Sequence, residues 1–312
     1  MLQIVMHSNR INILFQETEQ EIVMETIKVL VTNRKGGVGK STIAANLAAY
    51  LALQKGLKIS LIDYDEQSSS SAWIKKAPNI GIETFRAEMS YQSAGMTLLS
   101  ARSSLRKFST GFDVSISDLT WTPNMAENFM HDFDVILVPT STSKFELAST
   151  EIFILEYVLR NTPFIAKNKQ AIMAVPSRVE TNFAETSIST NLASLKMCYV
   201  TPPVLRANDI DNFVYEDFFC VSSNATISNY FCRFGEFVAQ QILDKKRERE
   251  APASKLGAIY SGLGKGILIL DRYRQNKKLL GMQARSQTHA LKSSELIDNN
   301  SSSILAFLIK QN

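Results

Sequence analysis

A doubly wound α/β fold with a mostly parallel sheet is the architecture this 312-residue chain predicts. Three observations carry it. Short apolar, β-branched runs alternate with stretches of helical periodicity between Thr26 and about residue 250. The runs are apolar on both faces, as strands covered by helices on two sides must be. The first of them leads through a glycine-rich loop directly into a helix. A basic C-terminal extension follows, so the expected organisation is an extension over 1–25, a folded domain over 26–250 and a tail over 251–312.

The elements follow in order. Residues 1–26 carry no firm pattern. "TIKVLVTN" (Thr26–Asn33) is the first strand, and "STIAANLAAYLALQKG" is a helix stopped by Gly56, a good C′ residue. "KISLIDYD" (Lys58–Asp65) is a second buried strand with carboxylates at its C-terminal end, and "QSSSSAWIKK" opens a helix whose serines can cap it. A helix over Thr97–Phe108 leads to "FDVSISD" (Phe112–Asp118), a short helix near 124–130 and "DVILVPT" (Asp134–Thr140). A helix over Lys144–Asn161, the strand "QAIMAVPS", a helix near Glu185–Leu195, a strand around "CYVTPPVL" and a long helix from Thr226 complete the series.

Composition narrows the class. At 45% hydrophobic and 21% charged residues the chain is an ordinary globular one. Its net charge of +4 is uneven: nine Lys/Arg against three acids after Glu250 give the tail +6, which leaves −2 for residues 1–250. A basic tail suits a polyanionic partner. Cys198, Cys220 and Cys232 contain no C-x-x-C pair and read as reduced thiols, and His7, His131 and His289 are scattered, so no metal cluster is expected. No secretory leader and no spanning run of about 18 apolar residues is visible, which predicts a cytoplasmic protein.

The chemistry concentrates in "VTNRKGGVGKST" (Val31–Thr42). A glycine loop between strand and helix offers backbone N–H groups and a helix N-terminus to phosphate oxygens. Gly36, Gly37, Val38 and Gly39 form the cradle, Lys40 can meet the β/γ-phosphates, and Ser41 and Thr42 open the helix, with the Ser41 hydroxyl able to hold Mg2+. The usual pattern, G-x-x-x-x-G-K-[ST], wants a glycine at position 34. Arg34 stands there, with a second lysine, Lys35, beside it.

Lys35-Gly36-Gly37-Val38-Gly39-Lys40-Ser41 resembles the deviant Walker A signature of the ParA/MinD group of P-loop ATPases. The resemblance extends through most of residues 27–245 and implies an ATP- and Mg2+-dependent homodimer. In it two subunits would sandwich two nucleotides, and Lys35 would reach the partner's phosphates, the logic of a charge supplied in trans. "LIDYDEQSS" is similar to the family's D-x-D-x-Q segment, implying Asp63 near the metal and a catalytic role for Asp65 in orienting the attacking water. Capping by strand-end carboxylates is the alternative for both. "FDVSISD" resembles the Walker B strand, with Asp118 behind Mg2+, and "AVPSRV" the strand whose end contacts the base. Two departures stand out. Leu119-Thr120-Trp121-Thr122-Pro123 replaces Thr-Pro-Pro, and Ser177 stands where an asparagine is common.

The resemblance implies a short ParA-type partitioning ATPase, acting at the nucleoid with non-specific DNA and a ParB-like centromere-binding partner. Arg206, Lys245, Lys246 and Arg247 are the candidate DNA contacts. "DKKRERE" can equally be a solvated helix end. The alternatives are a MinD-like membrane-associated positioning ATPase, for which "GILIL" and "SSILAFLIKQN" speak, and a weakly hydrolysing adaptor in DNA transfer.

Overall fold

The computed structural model describes residues 25–123, 125–181, 198–207 and 215–250, and the backbone of 4–7 and 10–13. In chain order the elements are β1 (Ile4–His7), β2 (Arg10–Ile13), β3 (Ile27–Asn33), α1 (Lys40–Lys55), β4 (Ile59–Asp63), α2 (Ser69–Lys76), β5 (Glu83–Arg86), α3 (Ala94–Ser109) and β6 (Val114–Thr120). There follow β7 (Val135–Thr140), α4 (Lys144–Asn168), β8 (Ala171–Pro176), β9 (Tyr199–Val200) and α5 (Ala225–Glu250). β3 to β9 form one sheet in the order β5-β4-β6-β3-β7-β8-β9, every pairing parallel. β1 and β2 make a separate antiparallel hairpin within the stretch expected to lack a pattern.

The strands are apolar on both faces because both are covered. Val29 and Val31 of β3 pack with α1, α2 and α5, whereas Leu30 points into the cluster built by α3 and α4. From β3 the chain winds one way to β4 and the other way from β7 to β8. Right-handed crossovers in opposite directions put their helices on opposite faces. That reversal opens a crevice at the C-terminal ends of the central strands, the usual ligand position of such sheets.

α1 is buried almost all round, with Ile43, Leu47 and Leu51 fully enclosed. It ends as expected: Gly56 takes φ 63°, and Leu57 N–H reaches back to the Leu51 carbonyl at 3.2 Å. Other elements depart from the sequence expectation. The helix near 124–130 is a 3-10 turn over Glu127–Asp132. β5, too short and half-exposed to leave an apolar run, was not anticipated. α4 runs seven residues beyond Asn161, bending there (φ −117°) ahead of Pro163. The strand around "CYVTPPVL" shrinks to β9 and a single bridge between Val179 and Leu205. The helix expected over Glu185–Leu195 and the tail from residue 251 lie outside the described residues. No described helix is long and apolar enough to cross a membrane.

Candidate phosphate-binding site

Six residues join β3 to α1. Gly37 and Gly39 adopt φ 70° and 87°, the left-handed region where a Cβ would be strained. Gly36, Gly37, Gly39 and the first turn of α1 line one wall of a cavity of about 490 Å3. The stem of the loop is fixed by Asn33, whose Nδ2 donates to the Pro139 carbonyl (2.8 Å) and to Thr150 Oγ1 (3.0 Å). Its Oδ1 accepts the Lys35 N–H at 3.1 Å. The far side is pinned by Ser177, whose Oγ donates to the Val38 carbonyl at 2.7 Å.

The residue at the missing-glycine position turns away from the cavity. Arg34 lies against α4, its guanidinium 3.0 Å from Glu156 and 5.2 Å from the centre of the Phe153 ring. The two lysines then diverge. Lys40 is buried and donates its Nζ to the Lys35 carbonyl at 2.9 Å. Burial lowers its pKa, while Asp118 and Asp65 pull the other way. The Lys35 side chain is exposed and has no partner among the described residues.

Parallel register sets Asp63 at the end of β4 beside Asp118 of β6. The two behave differently. Asp63 Oδ2 accepts from Ser70 Oγ (2.8 Å) and from Ser71 N–H (3.1 Å), and Oδ1 accepts the Asp65 N–H at 3.1 Å. Its carboxylate therefore fastens the start of α2, a job expected of the serines there. Ser68, the cap residue, makes no side-chain cap bond. Asp118 is buried, and its Oδ2 has no hydrogen-bond partner among the described residues. Burial and the neighbouring Asp63 charge push it up to about 7, against the Ser41 and Ser70 hydroxyls and Lys40. A buried carboxylate oxygen without a partner, beside a hydroxyl at the loop, suits a hydrated divalent cation. Among the described residues no group of three acidic, His or Cys side chains forms a cation cage. Asp65 lines the cavity, its Oδ2 accepting from Thr120 Oγ1 at 3.1 Å.

The opposite wall is made by Ser177, Arg178, Val204 to Ala207 and Phe219. Asn46 of α1 holds Phe219 through its main-chain N–H at 2.7 Å. Arg178 and Arg206 sit on this wall and pair with Glu146 (3.4 Å) and Glu180 (3.1 Å). The sequence candidates thus converge at Gly36, Gly37, Gly39, Lys40, Ser41, Thr42 and Asp65, with Asp63 and Asp118 beneath. The other basic candidates do not converge with Arg206. Lys245 bonds the Lys169 carbonyl ahead of β8, Lys246 pairs with Asp113 ahead of β6, and Arg247 pairs with Asp244. They lie at the N-terminal edge of the sheet, whereas Arg206 lies at the C-terminal edge. Asn33, Thr120, Thr150 and Phe219 are site-shaping residues that sequence patterns did not single out.

Residues 29–278 match the family described as the CobQ/CobB/MinD/ParA nucleotide binding domain. Over 48 residues the chain is 50% identical to maintenance of carboxysome distribution protein A of Gloeobacter kilaueensis, a stretch covering 15% of this chain and 21% of that protein. Over 45 residues it is 47% identical to the chromosome-partitioning ATPase Soj of Thermus thermophilus, covering 14% and 18%. The chain thus matches about a fifth of the length of these relatives. The fold is similar to that of Cyanothece McdA, solved as an ATP complex of an aspartate variant, with a TM-score of 0.56 at 17% identity over 70% of this chain and 96% of that one.

Proposed function

This chain belongs to the CobQ/CobB/MinD/ParA nucleotide-binding family, and from that premise we propose that it is a ParA-like ATPase whose nucleotide state switches its assembly on DNA. The observation that carries the proposal is the contrast between the two loop lysines: Lys40 is drawn into the cavity toward Asp118 and Asp65, while Lys35 is exposed and has no partner among the described residues. A cation inside suits the phosphates of a nucleotide held in cis. One outside has a use when a second subunit presents its own nucleotide.

In this reading residues 26–250 form the ATPase domain, and loop amides, Lys40 and Thr42 bind ATP. Ser41 and Asp118 would hold Mg2+, which supplies charge neutralisation at the phosphates when bound. Asp63 would stand near the cation, and its hydrogen bonds brace Asp65 and the start of α2. Asp65, at the cavity and tied to Thr120, orients the attacking water. The ATP-bound homodimer would bind DNA without sequence preference at the nucleoid, and a ParB-like partner would stimulate hydrolysis. The +6 tail and the exposed Arg247 support the DNA contact. Plasmid or chromosome partitioning would be its task.

The test is sedimentation of Lys35→Ala with and without ATP, beside calorimetry. The expected variant binds ATP with wild-type affinity, stays monomeric and loses stimulated turnover. ATP-dependent dimers of normal stability would falsify the proposed sandwich. A salt-titrated DNA assay run beside liposomes, each with and without ATP, separates DNA binding from membrane association.

A further inference from the structure

Lys35 can serve a partner subunit only if its side chain is delivered outward, and its own peptide does only part of that. The N–H is held by Asn33 Oδ1 and the carbonyl by Lys40 Nζ, which fixes the backbone at both ends. The flanking side chain is Arg34. Left unheld, that guanidinium would be a longer and better-hydrogen-bonding cation than Lys35, one residue away and within the same loop. It would compete for the nucleotide of its own subunit, and its charge would repel Lys35 beside it and Lys40 at the end of the loop.

α4 removes that competition. Glu156 neutralises Arg34 at 3.0 Å, and the Phe153 ring lies under the guanidinium at 5.2 Å. Phe153 lies against Trp121, whose ring centre is 6.0 Å away and whose main-chain N–H donates to the Asn33 carbonyl at 3.2 Å. The departure from glycine at position 34 and the tryptophan that follows β6 therefore both lie against the Phe153 ring.

We propose that Glu156 and Phe153 are positioning residues: by holding Arg34 on α4 they leave Lys35 as the free loop cation that a second subunit meets. The inference rests on the proposed role of Lys35 in trans. The pair is partly exposed, and exposed pairs are worth little singly, about threefold in an equilibrium. A two-fold symmetric dimer contains it twice, so the effect on assembly is about tenfold.

The experiment compares Glu156→Gln, Arg34→Gly and the charge swap Arg34→Glu with Glu156→Arg, using ATP and the full chain. Calorimetry reads ATP affinity, sedimentation reads ATP-dependent dimerisation, and thermal melting checks folding. Glu156→Gln is expected to bind ATP as tightly as wild type or more tightly, and to dimerise about tenfold more weakly. The swap restores dimerisation. Arg34→Gly, which recreates the ordinary first glycine, removes the competing cation altogether and dimerises within twofold of wild type. Wild-type dimerisation of Glu156→Gln overturns the inference. So does a parallel loss of ATP affinity, because that is the signature of a merely structural contact. If Lys35→Ala still dimerises normally, it is the sandwich reading that fails.

Discussion

Lys40 and Lys35 are joined by one hydrogen bond, Nζ to main-chain carbonyl at 2.9 Å, so the buried cation braces the peptide that carries the exposed one. Removing Lys40 takes away both the charge facing the cavity and that brace. Lys40→Ala should lose MgATP binding by at least a hundredfold, about 3 kcal/mol, the range of hydrogen bonds to charged groups. Calorimetry with unchanged affinity would sink the phosphate-loop assignment.

Asn33 is buried and makes three hydrogen bonds that tie β3, β7, α4 and the loop together. Asn33→Ala leaves the Lys35 N–H and the Pro139 carbonyl without these partners. It should cost about 2 kcal/mol of stability and weaken ATP binding several-fold, since the loop loses its stem. Urea unfolding and a nucleotide titration on the same sample check both effects.

Asp118 is expected to make the nucleotide-free protein less stable as pH rises. Its folded pKa, about 7, is raised above the ordinary 3.8, so the native state holds the proton more tightly than the unfolded one. That stability is fully present below 3.8 and is lost as pH climbs through 7. Asp118→Asn should therefore be more stable than wild type at pH 8 by about 4 kcal/mol, with more than half of the difference gone at pH 5. It should lose Mg2+-dependent nucleotide binding at both. A variant no more stable than wild type at pH 8 contradicts this account.

Gly235 on α5 packs face to face with Tyr50 of α1. A Cβ there would fall 2.5 Å from the ring, and the ring is tied by its hydroxyl to Glu236 at 2.8 Å. Gly235→Ala should destabilise by about 2 kcal/mol through overpacking, despite the better helix propensity of alanine. A thermal melt within 1 °C, about the resolution of such a shift, argues that α5 can slide to make room.

The sheet and the loop were legible because both leave marks in the residue order: apolar runs for covered strands, glycines and Lys40 for the loop. The strand-end pair Asp63 and Asp118 could be located but not told apart. Their division of labour depends on register between β4 and β6 and on where α2 begins. Arg34 showed only as a departure from a pattern. Its partner Glu156 stands more than a hundred residues away on α4, and no local spacing links the two. The basic candidates looked like one class in sequence, yet Arg206 and Lys245 emerge at opposite edges of the sheet. The short β5 failed to register because four half-exposed residues carry no period, and the strand expected around Leu205 was drawn too long because its prolines, Pro202 and Pro203, interrupt the pairing.

The chain has two tryptophans, and both stand immediately behind the cavity. Trp121 lies against Phe153 behind the loop, and Trp73 lies 5.8 Å from the Phe219 ring behind the opposite wall. Each is nearly enclosed, so its emission is set by packing rather than by bulk water. The molecule thus carries its own optical gauge on both jaws of the cleft. Replacing either indole with phenylalanine isolates the other signal, and the order in which the two respond to nucleotide gives the order in which the walls settle.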